Sequence, residues 1–108
     1  MINFEKKVLA NGLRVILTPM DNTEAVTLLV LVKTGSRRET KNLNGISHFL
    51  EHMFFKGTKS RPEPGEISRD LNKVGAAHNA FTSKDITGFW LKSSAKDIDL
   101  SIDIVSDI

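Results

Sequence analysis

The sequence predicts an α+β fold: a mixed, largely antiparallel sheet with helices packed on one face. Three observations predict it. Asn11-Gly12 stands between two apolar-rich runs, as in a tight hairpin turn. "AVTLLVLV" (25–32) is a β-branched, nearly unbroken apolar run. The order of elements, β-β-β-α-α-β-β-α, lacks the strict alternation that builds a parallel doubly wound sheet.

Taken in order, "KKVLANGLRVILT" reads as a hairpin over about 3–10 and 13–18, closed by a two-residue turn whose central residues need positive φ. After Pro19 and the polar "DNTE", the run from Ala25 to near Gly35 reads as a central strand covered on both faces, or as one on its way into the core. "SRRETKNLN" reads as loop, with Arg37 and Glu39 candidates for an ion pair there and a plain solvated loop the alternative. Asn44 then precedes a helical pattern whose apolar positions are Ile46, Phe49, Leu50, Met53 and Phe54. "KGTKSRPEPG" carries too much proline and glycine for anything but loop. Ile67, Leu71 and Val74 mark a second helix that Gly75 suits as a C-terminal cap. "AHNAFTS" and "ITGFWLKS" read as two strands, with Phe81, Phe89 and Trp90 as strand core. A last helix presents Ile98, Ser101, Ile102 and Val105 on one face, its aspartates forming a solvated side. It meets no stop signal before Ile108, and the protein is expected to continue beyond it.

Composition narrows the function classes. The chain has 108 residues, 40% hydrophobic and 26% charged, within the range of one folded domain. Fifteen Lys and Arg against thirteen Asp and Glu leave +2 without a long basic run, which gives no reason to expect nucleic acid. No apolar run approaches the length of a membrane span, and "MINFEKKVLANG" has the form of neither a signal nor a transit segment. A cytoplasmic protein without membrane contact is the expectation. With no cysteine, any metal must be held by His, Asp or Glu.

One stretch does supply such groups. In "GISHFLEHMFFKGT" (45–58), His48 and His52 stand four apart with Glu51 immediately before the second. On a helix, positions i and i+4 lie one turn apart on one face, so two imidazoles can meet one ion. Glu51 falls on the same flank, within reach of a water that the ion would acidify. This is the inverted zincin pattern, H-x-x-E-H. The competing reading is a histidine pair that caps or bridges on a surface helix. His78 is a less suitable ligand, since strand alternation sends it to the face opposite Asn79.

With "GSRRE" (35–39) and "NAFTSKDIT" (79–87) in the same order, the sequence resembles the M16, or pitrilysin-like, metallopeptidases, most closely the processing peptidase-like branch. The resemblance extends over essentially the whole chain, which corresponds to about the first quarter of a typical member. It implies a zinc endopeptidase acting on extended peptides or unfolded segments, with His48 and His52 as ligands of Zn2+ and Glu51 as general base. It further implies that "NAFT" is an edge strand to which substrate adds, so that Asn79, Ala80 and Phe81 contact the peptide. A catalytic zinc takes three protein ligands, and in the family the third is a glutamate about 75 to 80 residues further on, near position 129. The chain alone is therefore expected to be an inactive, incomplete part. The remainder of the chain, or a second subunit in a dimer, would close the cleft. The alternative within the same fold is a non-catalytic scaffold or peptide-binding subunit. Such members typically lack the histidines, which are present here.

Overall fold

A computed structural model describes residues 3–108. Strand β1 (Glu5–Val8) pairs antiparallel with β2 (Arg14–Leu17), and β3 (Ala25–Val32) follows. Two short 3-10 turns lead into helix α1 (Ile46–Met53), and a loop connects it to α2 (Glu66–Lys73). Strands β4 (Ala77–Thr82) and β5 (Thr87–Ser94) and helix α3 (Ile98–Asp107) complete the order. The predicted α+β fold is present, with every described strand pair antiparallel and the strands divided into two sheets: β1-β2, and β3-β5-β4.

The hairpin turn differs from the expected two-residue form. Leu9 N–H donates to the Leu13 carbonyl at 2.8 Å and Gly12 N–H to the Leu9 carbonyl at 2.9 Å, so three residues form the loop. Only Gly12 takes positive φ, at 86°. This is the type I turn with a glycine bulge, which spares Asn11 the left-handed region that a two-residue turn would impose. The Asn11 side chain instead accepts from Leu13 N–H at 3.0 Å.

In the second sheet the middle position belongs to β5, not to β3 as the apolar run suggested. Register explains the division of faces. Thr87, Phe89, Leu91 and Ser93 of β5 are buried beneath the helices. Their neighbours Gly88, Trp90 and Lys92 lie in register with Leu31, Leu29 and Thr27 on the other face, where Leu29 and Leu31 are more than half exposed. That β3 is apolar on both sides while only one is covered is a correction to the expected doubly buried strand. Trp90 likewise lies on the open face and not in the core.

The helices pack on one face of this sheet, as expected. Ile67 and Leu71 of α2, Leu91 of β5 and Ile104 of α3 form the fully buried centre. Each such side chain contributes about 1.5–3 kcal/mol relative to exposure. Gly75, at φ 63°, ends α2: its N–H donates to Asn72, and Ala76 N–H reaches back to Leu71. Helix α3 keeps Ser101 and Val105 of the predicted face toward the core but exchanges Ile102 for Ile104. Ser101 and Ile104 are buried, with Leu100, Val105 and Ile108 packed beside them, whereas Ile102 is exposed. The Ser101 and Ser93 hydroxyls satisfy each other at 2.8 Å, which lets a polar pair occupy the interior. Two of the aspartates expected on a solvated face, Asp103 and Asp107, instead bind Arg61, which also pairs with Asp70 of α2.

Candidate metal centre

Helix α1 carries the site and is oriented unlike an ordinary core helix. Ser47, Glu51 and Phe54 turn toward the sheet, Phe54 meeting Phe89 ring to ring at 4.9 Å. The predicted apolar stripe is turned away: Ile46, Phe49, Leu50 and Met53 are all exposed, Phe49 by 62%. The spacing predicts the helix that is found, but of its apolar positions only Phe54 turns inward. A polar residue, Glu51, occupies the inward position because a hydroxyl awaits it there. Thr82 Oγ1, at the end of β4, donates to Glu51 Oε2 at 2.6 Å.

The start of α1 is fixed from a distance. Gly45, not Asn44, is the N-cap, in the left-handed region at φ 89°, and no side chain of the cap itself serves the first turn. Glu39 does so instead, accepting from Gly45 N–H at 2.6 Å and Ser47 N–H at 2.9 Å. These backbone donors, Gly45 before Ser47, hold its carboxyl below the usual carboxylate range. The Arg37–Glu39 ion pair considered from sequence is not what forms. Arg37 pairs with Asp85 at 3.1 Å, on the turn between β4 and β5.

His48 and His52 meet as their spacing predicts. Their Nε2 atoms are 3.0 Å apart and their ring centroids 4.6 Å. One nitrogen must carry a proton and the other a lone pair for that contact, so a proton lies where both lone pairs could converge. Nitrogen ligands about 2.0–2.1 Å from a tetrahedral zinc are about 3.3 Å from each other. The pair thus fits a metal after an opening of a few tenths of an ångström. Among the described residues no group of three or more His, Asp or Glu side chains is disposed to hold an ion. His78 stays apart, its ring against Phe55 at 4.7 Å, and burial lowers its pKa.

Beside the pair lies an open depression of about 380 Å³, lined by Ser36, His48, Glu51, Thr82, Ser83 and Lys84. His48 and Glu51 thus face one space large enough for water and part of a peptide. The other nominated residues are on β4, an edge strand of its sheet, as β3 is on the other side. Ala80 shares the helix side with Thr82, whereas Asn79 and Phe81 point to the open face, by register with Trp90 and Gly88. The Phe81 ring lies over Gly88 next to Leu31, so close that a β-carbon on Gly88 would strike it. Asn79 Oδ1 accepts from Ala80 N–H at 2.8 Å. The structure brings together His48, His52 and Glu51, and leaves the side chains of Asn79 and Phe81 on the far side of the sheet. Sequence reasoning missed Thr82 and gave Glu39 the wrong partner; each sits inside a quoted motif, but their partners are 31 and 6 to 8 residues away.

The sequence model of the insulinase family, peptidase family M16, matches residues 14–108. The chain belongs to peptidase family M16. It is 41% identical over 98 residues to an uncharacterized zinc protease, YmxG, of Bacillus subtilis, covering 91% of this chain and 24% of that protein. The mitochondrial-processing peptidase subunit beta of Saccharomyces cerevisiae is 41% identical over 100 residues, 93% of this chain and 21% of the relative. The crystal structure of a protease from Helicobacter pylori superposes with a TM-score of 0.92 at 36% identity, covering 99% of this chain and 25% of that one. The chain spans about a quarter of the length of these relatives. Zinc is the metal of the family as its protease members are named, and it suits a pair of neutral imidazoles.

Proposed function

We propose that this protein is a zinc-dependent endopeptidase for extended peptides or unfolded segments, in which His48 and His52 hold the ion and Glu51 is the general base. The observation that carries the reading is the convergence of the two Nε2 atoms, 3.0 Å apart, next to a depression that Glu51 also lines. Zinc, when bound, supplies a Lewis acid and brings the pKa of water toward neutrality. Glu51 then takes the proton: Oε2 is held by Thr82, and Oε1 has no hydrogen-bond partner among the described residues.

An extended peptide adds to the β4 edge through main-chain hydrogen bonds, with Asn79, Ala80 and Phe81 at the contact. The Ala80 N–H that Asn79 Oδ1 occupies becomes the donor to a peptide carbonyl. The third protein ligand comes from outside residues 3–108, and residues 1–108 alone are inactive on this reading. A further part of the chain or a second subunit closes the cleft; one relative is by name a subunit. A cytoplasmic location accords with the cysteine-free composition. The non-catalytic scaffold reading is disfavoured because all three residues of the H-x-x-E-H motif are present.

The test is peptide hydrolysis by the full-length protein against Glu51→Gln. Retained zinc with a loss of roughly 100- to 10,000-fold in kcat is expected. Hydrolysis at the wild-type rate by the variant would remove Glu51 from the role of base.

A further inference from the structure

We propose that Thr82 is a positioning residue for Glu51: its hydroxyl pins one carboxylate oxygen to the sheet so that the other is presented to the depression. The inference rests on the reading of Glu51 as the base and adds to it the device that orients the base. A glutamate on the flank of a helix has three torsions to settle, and solvent alone would leave the carboxylate dispersed over several rotamers. Here Thr82 Oγ1 donates to Oε2 at 2.6 Å, a short hydrogen bond between a hydroxyl and a carboxylate oxygen. Both side chains are half-buried, which limits competition by water.

Thr82 can serve as an anchor because it is itself held. Its β-branch restricts χ1. It stands opposite Thr87 in the β4–β5 register, and the Thr87 hydroxyl donates to the Thr34 carbonyl at 3.0 Å. The turn that follows closes through Ser83 N–H to the Ile86 carbonyl at 2.9 Å, and its own carbonyls take Ser36 N–H and Arg37 N–H. The residue fixing the base is thus the last of the strand whose free edge is offered to the peptide. Base and peptide edge are aligned by one rigid element, and no adjustment between helix and sheet is left for the reacting complex to make.

The experiment compares Thr82→Val, Thr82→Ser and Glu51→Gln in the full-length protein. Valine keeps the shape and deletes the donor; serine keeps the donor. For Thr82→Val, kcat is expected to fall roughly 10- to 100-fold with KM within about twofold and zinc affinity unchanged. Thr82→Ser is expected within about threefold of wild type. A second readout needs no turnover: crystals of the metal-free variants should show a single Glu51 carboxylate position with serine and its loss with valine. A Thr82→Val enzyme at wild-type kcat, a serine variant as impaired as the valine one, or an ordered, unmoved Glu51 in Thr82→Val would each overturn the proposal. If valine prevents folding, Thr82→Ala carries the same comparison. An active Glu51→Gln enzyme sinks the base assignment itself; an inactive one beside an intact Thr82→Val enzyme sinks only the positioning role.

Discussion

Glu39 shows how a residue remote from the metal pair can govern it. Its two oxygens take the Gly45 and Ser47 amides, the second of which immediately precedes His48, so the first turn of α1 is held by a carboxylate from the preceding loop. Without it Gly45, free to rotate and lacking a side-chain cap, leaves that turn to fray. His48 would then sample positions away from His52. Glu39→Ala in the full-length protein should weaken zinc binding on the order of tenfold, with His52→Ala as the reference for complete loss, as measured by competition with a chelator. Undiminished affinity would show that α1 holds its first turn unaided. The pairing was not legible from sequence, because charge suggested Arg37 as the partner two residues away. What decided it was the helix start, which offers two unsatisfied amides, while Arg37 finds Asp85 across the loop.

At the level of elements, periodicity located the helices and strands, and failed where it had to say which side is covered. The helix motif, the α2 cap at Gly75 and the β4–β5 pair were readable because spacing and turn residues act locally. The turn of α3 that buries Ile104 and exposes Ile102 was not, because the two side chains are identical and the spacing from Ser101, which is buried as read, does not choose between them. The segment 35–39 joins these elements. Ser36 N–H and Arg37 N–H bond to the carbonyls of Ser83 and Lys84, and a β-carbon placed on Gly35 would come within 2.3 Å of the Ser83 carbonyl oxygen. Backbone is in the way, so relief requires the strand-to-helix segment to part from the β4–β5 turn. Gly35→Ala is therefore expected to destabilise the protein by about 1–3 kcal/mol, read from the urea midpoint. Because the displaced turn adjoins Thr82, activity should fall more than the loss of folded protein accounts for. A variant with unchanged midpoint would mean that the contact relaxes without strain.

Over the whole molecule, apolar surface is distributed in a way that one compact core does not explain. Four residues of α1, Leu29 and Leu31 on the open face of β3, and Val8 and Ile16 on the hairpin are exposed, Ile16 by 65%. Lone exposed apolar residues are ordinary, but here they share one face of a strand and one stripe of a helix, the pattern of a surface that is covered by something else. This is also why the sequence suggested a β3 covered on both faces: its side chains are of core type throughout, yet within residues 3–108 one face of β3 and the apolar stripe of α1 stay exposed. Chains about four times as long share this unit. On the proposal that further chain or a second subunit closes over this unit, residues 1–108 expressed alone should bind an apolar dye such as ANS and self-associate with rising concentration, and the completed protein should do neither. Sedimentation velocity over a concentration series distinguishes the cases. Replacing Leu29 and Leu31 with threonine, which keeps β-propensity on a face that is open in the isolated unit, should reduce the association and leave the fold in place. The same pair of substitutions in the full-length protein should instead lower its stability, if the face is covered there. A 108-residue chain that remains monomeric and dye-free would show that these faces are satisfied within the unit itself.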